Sequence, residues 1–322
     1  PSPSEDAGTV PGYGPFVAEA TKRYRNMVSD SARWSQFEHR PGDIIISTPP
    51  KCGTTLTQML CALLVFDGPE FPRRLDDLSP WLDMNTRSDD EVLAEVDAMT
   101  HRRFLKTHTP LDGIPVWPDV SYVVVGRDPR DVFVSWEHHT ANIDSDRFVT
   151  VVDQSVGPET VVSFYRERAA TTEARLDHWL VDDDPTATTS LASVTGHVSV
   201  AWQRRDRDNV HLFHFEELRD DRVAAMERLA DAIGIDLSPS RIAALAEAAS
   251  LEEMRARAAA LAPNTKEIVS DAAGFFRTGK SGEGRALMTP EQAAIYDQRM
   301  SELVAPELRD WLHRTSEEGA TT

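Results

Sequence analysis

An abrupt change of periodicity near residue 50 constrains this chain more than any other feature. Asp43-Ile44-Ile45-Ile46-Ser47-Thr48 is a short β-branched run without polar alternation, the pattern of a strand buried on both faces. Pro49-Pro50 stops it, because proline has no ladder donor to continue a central strand. Beyond Lys51-Cys52-Gly53-Thr54-Thr55, apolar residues return at Leu56, Met59, Leu60, Leu63 and Leu64, the 3.6-residue spacing of a helix packed on one face. Lys51 to Thr55 is therefore a strand-to-helix turn.

The same punctuation recurs. Phe104-Leu105-Lys106-Thr107-His108 predicts a second strand, stopped at Pro110, and Ser121 to Gly126 a third. Asp128 then suits an N-cap and Pro129 a first helical position, for a helix from Pro129 to about His139. Val210 to Phe215 predicts a fourth strand. Helical segments separate these runs, at Glu91–Met99 and Glu159–Leu180. Further helices are expected at Asp221–Ile233, Pro239–Ala248, Leu251–Leu261 and Pro290–Leu303. The pattern predicts an α/β domain over residues 14–315, with a central, mostly parallel sheet flanked by helices and short tails at 1–13 and 316–322. Ligands of such sheets sit beyond the carboxyl ends of the strands. Ala262–Met288 reads as a long loop of functional or disordered type, and Asp182–Ser193 as a low-complexity surface loop.

Charge narrows the function. The 322 residues carry 34 Lys and Arg against 53 Asp and Glu, a formal charge of -19, so a global field attracting nucleic acid or anionic membrane is excluded. Any anion site must be local. Lysines are few, and Lys51, Lys106 and Lys280 fall in loops singled out on other grounds. Cys52 and Cys61 are too few for a disulfide framework or a zinc site, and read as reduced thiols of a cytoplasmic protein. Leu60–Phe66, the longest apolar stretch, is too short to span a bilayer, and the N-terminal tail lacks the signature of a signal peptide. No H-E-x-x-H or similar spacing suggests a metal.

Four segments carry chemistry. In Pro50-Lys51-Cys52-Gly53-Thr54-Thr55, backbone N–H groups and the helix dipole face one spot, where a lysine and two hydroxyls add donors. The lysine precedes the glycine, so this is not a Walker A loop. In Gly126-Arg127-Asp128-Pro129-Arg130-Asp131-Val132-Phe133-Val134-Ser135, Arg127 and the Ser135 hydroxyl two turns on can converge on a phosphate monoester, while Arg130 and Asp131 read as structural. Lys106-Thr107-His108 ends its own strand, the best-placed of the histidines; His138, His139 and His197 are weaker claimants. Phe275 to Arg285 is a glycine-punctuated basic loop whose amides suit a phosphate.

Together these four segments resemble the PAPS-dependent sulfotransferases of cytosolic type, and lie closest to actinobacterial members described as glycolipid sulfotransferases. Pro50–Thr55 resembles the family's P-K-S-G-T-T-W loop, Arg127–Ser135 its R-N-P-K-D-V-x-V-S segment, Lys106–Pro110 its K-[TS]-H-x-P, and Arg277–Arg285 its R-K-G-x-x-G-D-W-K loop. The resemblance implies sulfuryl transfer from 3′-phosphoadenylyl sulfate (PAPS) to an acceptor hydroxyl, leaving PAP, with no metal. It assigns His108 as base, Lys51 and Lys106 to the leaving-group charge, Lys51, Cys52, Gly53, Thr54 and Thr55 to the 5′-phosphosulfate loop, and Arg127, Ser135, Arg277, Thr278 and Gly279 to the 3′-phosphate. Leu56, Phe215, Ser250 and Leu251 fall where the family surrounds adenine. Leu56 replaces a stacking tryptophan, a loss of about 1 kcal/mol of base binding. Thr278 replaces a lysine, and Lys280 stands two residues along.

A P-loop phosphotransferase and a non-catalytic nucleotide-binding protein are the rival readings. Glycolipid, phenol, sterol-like alcohol and natural-product hydroxyl all stay open as acceptors, as does a homo-oligomer. Trp81, Phe148 and Phe275 are candidates for an apolar acceptor wall.

Overall fold

Four parallel strands, Ile44–Ser47 (β1), Phe104–Thr107 (β2), Ser121–Gly126 (β3) and Val210–His214 (β4), form one sheet in the order β2-β1-β3-β4. The register pairs Ser47 with Thr107 and Gly126 with His214, so the four carboxyl ends line up along one edge. This computed structural model describes residues 19–156, 171–263, 267–277 and 280–314, and of 152–156 only the backbone. The tails at 1–13 and 316–322, and the first part of the helix expected from Glu159, lie outside the described residues.

Strand alternation divides the core between two faces. Ile44, Ile46, Val123, Val125 and Phe213 point to one side, against helices Thr54–Phe66, Arg222–Ala232 and Pro239–Ala248. Ile45, Leu105, Tyr122, Val124 and Val210 point to the other, against Val92 and Val96 of helix Asp89–Asp97 and Ala201 of helix Leu191–Trp202. Each fully buried Ile or Val contributes about 1.5–3 kcal/mol of transfer free energy, which explains why these short strands read as unbroken apolar runs.

Several boundaries differ from expectation. β4 stops at His214 and Phe215 opens helix Phe215–Asp220, because the Glu217 carboxylate accepts the His214 N–H at 3.1 Å and starts a helical turn there. The helix expected over Leu251–Leu261 is two, Leu251–Ala256 and Ala258–Leu261, separated at Arg257. The segment after Thr140 contains helix Ser145–Val156, and the long loop holds the short helices Ala272–Phe275 and Glu283–Leu287. Ser190 caps helix Leu191–Trp202, so the last residues of the expected surface loop are helical.

Candidate active site

Each strand hands the chain to one candidate segment at the same edge of the sheet: β1 to Pro49–Thr55, β2 to His108, β3 to Arg127 and β4 to Phe215. There they surround a cavity of about 460 Å³. Lys51, Gly53, Thr54, Thr55, Leu56, Lys106, His108, Arg127, Ser135, Phe215, Leu251, Arg277 and Lys280 all line it. Thr278 and Gly279 lie outside the described residues.

The turn after β1 is built for close approach. Lys51 adopts φ 69° and Gly53 φ 97°. Left-handed backbone is costly for lysine and free for glycine, so Lys51 holds strain of the kind that gathers at functional sites. A Cβ on Gly53 would stand 2.8 Å from the Phe215 ring. Helix Thr54–Phe66 starts without a side-chain cap, whereas Ser88 and Asp128 cap the helices that follow them. Its first-turn N–H groups stay available to an anion.

Cations converge on that helix start. Burial, then the charges of Lys106, Arg127 and Arg277, bring the Lys51 ammonium down to about 7. Burial likewise brings Lys106 to about 8, against the opposing pull of Asp76 and Asp83. The Arg127 guanidinium stacks 4.2 Å from the Phe215 ring centroid, and its buried Nε has no hydrogen-bond partner. An uncapped helix start, crowded cations and an orphaned arginine donor suit a ligand with several negative charges.

His108 Nδ1 lies 2.7 Å from the Thr48 carbonyl oxygen. A carbonyl only accepts, so Nδ1 carries the proton and Nε2 keeps its lone pair. Burial, then Lys106, holds the imidazole well below its ordinary pKa, in the neutral form. Asp83, fully buried, fixes the surrounding chain. It accepts hydrogen bonds from Thr107 and Thr109, which flank His108, and from the indoles of Trp34 and Trp81. Trp81 then meets His108 edge to face at 4.7 Å, and the Lys106 ammonium lies 4.8 Å from the same indole.

The late basic loop is latched from below. Asp131 accepts the N–H groups of Gly282 and Gly284 at 2.8 and 2.9 Å, while Ser281 donates to Glu216 at 2.6 Å. A Cβ on Gly284 would collide with the Arg130 carbonyl at 2.1 Å, so only glycine permits this docking. Lys280, beside the latch, faces the cavity.

Two predicted binding side chains stand apart. Cys52 points into the core with Val132 and Phe133, where burial pushes its thiol up to about 12. Ser250 caps helix Leu251–Ala256 through the Glu253 N–H and does not line the cavity. Sequence reasoning undervalued His139, which does line it. Ser135 and His139 are four residues apart on helix Pro129–Ala141, so the face chosen for one already included the other. Trp81, Phe148 and Phe275 also line this cavity, joined by Met27, Val28 and Met84.

The sulfotransferase domain model matches residues 41–310 of this chain. The chain belongs to the sulfotransferase family. This sulfotransferase is 39% identical over 308 residues to the glycolipid sulfotransferase of Mycobacterium bovis, covering 90% of this chain and 93% of that one. It is 38% identical over 312 residues to a Mycobacterium tuberculosis glycolipid sulfotransferase, with the same coverage of 90% and 93%. In fold it resembles retinol dehydratase in complex with androsterone and inactive cofactor PAP, at a TM-score of 0.62 and 22% identity, covering 86% of each chain. A mouse sulfotransferase complexed with PAP also gives a TM-score of 0.62, at 21% identity, covering 87% of this chain and 91% of that one. The phosphotransferase reading falls with the family assignment. Among the described residues no helix is long and apolar enough to cross a membrane, and no three His, Cys, Asp or Glu side chains gather to hold a metal.

Proposed function

We propose that this sulfotransferase moves a sulfuryl group from PAPS to the hydroxyl of an amphiphilic acceptor of the glycolipid type, with His108 as general base. The observation that carries the reading is the His108–Thr48 hydrogen bond, which leaves an unprotonated Nε2 in a cavity walled by Lys51 and Lys106. His108 takes the acceptor proton as the new S–O bond forms, and the bond from sulfur to the 5′-phosphate oxygen breaks. Lys51, Lys106 and the start of helix Thr54–Phe66 stabilise the charge gathering on that leaving oxygen. Gly53, Thr54 and Thr55 hold the 5′ end, Arg127, Ser135 and Arg277 with Gly279 the 3′-phosphate, and Phe215, Leu56 and Leu251 the adenine. Lys280 takes the charge that Thr278 lacks.

Met27, Val28, Trp81, Met84 and Phe148 give the remaining wall an apolar character suited to a lipid-like acceptor. The mycobacterial relatives named for glycolipid sulfation support the same class. Two buried free thiols, Cys52 and Cys61, fit work in the reducing cytoplasm. The test is transfer of label from sulfur-labelled PAPS to a glycolipid panel. A labelled sulfate ester with stoichiometric PAP is expected, and labelled inorganic sulfate alone would remove the transfer reading.

A further inference from the structure

His139 is not accounted for by that chemistry. It lines the cavity from helix Pro129–Ala141, flanked by the rings of Trp136 at 5.7 Å and Phe275 at 5.9 Å. Phe275 in turn lies 4.6 Å from the Lys51 ammonium, so a single ring contacts both His139 and the proposed leaving-group lysine. Its ring nitrogens have no hydrogen-bond partner among the described residues. By contrast His108 is tied to Thr48, and His197 to Ser47 at 2.9 Å. Burial, then Lys51, Lys106 and His108, keeps the His139 ring neutral.

A neutral imidazole offers one donor and one acceptor, and aromatic neighbours satisfy neither. We infer that His139 is a specificity-determining residue that hydrogen-bonds a second hydroxyl of the acceptor, adjacent to the one sulfated, and so selects vicinal diols over simple alcohols. This rests on the reading of the cavity as a site shared by PAPS and acceptor. The physical reason is asymmetric: a mono-alcohol displaces water from His139 and leaves its polar atoms unpaired, whereas a diol pairs one of them. The flanking Trp136 and Phe275 rings suit the C–H face of a polyol such as a sugar ring.

The test compares 1-octanol with 1,2-octanediol binding to the full chain saturated with PAP, by calorimetry. The diol is expected to bind wild type about tenfold or more tightly than the mono-alcohol, although it is the more water-soluble of the two. His139→Phe should collapse that ratio to near unity, and His139→Gln, which keeps a donor and an acceptor, should restore several-fold of it. PAP affinity of each variant checks that the site is folded. No diol preference in wild type, including no binding of either alcohol, overturns the inference, as does an undiminished ratio in His139→Phe. Failure of wild type to bind PAP is a separate result that sinks the donor reading and takes the inference with it.

Discussion

The imidazole of His108 donates from Nδ1 to the carbonyl of Thr48, tying the end of β2 to the end of β1 at 2.7 Å. The contact sets the tautomer and aims a lone pair at the cavity, while Asp83 holds both threonines beside His108. One hydrogen bond thus links the proposed anion-binding turn to the proposed base.

His108→Ala is expected to lower kcat by about 10²–10⁴-fold while PAP binding stays near wild type. In the wild type, burial and Lys106 hold the imidazole well below 6.5, so the acid limb of kcat/KM should fall below that value. An unchanged kcat in the variant, or an acid limb above neutrality, contradicts the assignment.

PAP binding should take up protons. In the free protein Lys51 sits at about 7 and Lys106 at about 8, and a polyanion beside them raises both values. The bound form therefore holds more protons than the free form above neutrality, so affinity strengthens as pH falls through 8 and then 7, levelling below. Calorimetry in buffers of different ionisation enthalpy checks the sign, and pH-independent affinity over that window would exclude it.

Gly53→Ala should damage the cradle without unfolding the sheet. The left-handed φ costs alanine about 1 kcal/mol, and the 2.8 Å approach to Phe215 forces that ring to move. A tenfold or greater loss of PAP affinity is expected by calorimetry, and wild-type affinity would show that Phe215 yields freely.

Asp83→Ala removes the acceptor of four donors, three of them buried. A stability loss of about 2–4 kcal/mol by urea unfolding is expected, together with a lower kcat at saturating substrate. Stability loss with kcat intact would confine Asp83 to the fold.

Asp131→Ala unlatches Gly282 and Gly284, whose N–H groups it accepts. KM for PAPS should rise several-fold, because Arg277 and Lys280 lose their anchor, while the kcat of saturated enzyme changes less. Equal falls in kcat and kcat/KM would point to a direct role of Asp131 in the transfer step.

Local chemistry was legible wherever it is decided by a few neighbours along the chain. The proline stop after β1, the Asp128 cap with Pro129 and the helix from Pro290 could all be read from adjacent residues. Boundaries failed where a contact from three residues on intervened, as Glu217 does for His214.

By itself the sequence determined the strands, the turn after Pro50, and the scarcity of lysine that made each one conspicuous. Only the tertiary structure decided that Cys52 turns into the core while Gly53 beside it faces the cavity, that Asp83 braces His108, and that Asp131 grips a loop some 150 residues away. The reason is topological. The sheet order β2-β1-β3-β4 departs from chain order, so the strand ends meet across separations on which local propensity carries no information. Which side chain of each turn enters the cavity is then settled by packing against residues that the neighbouring sequence does not contain.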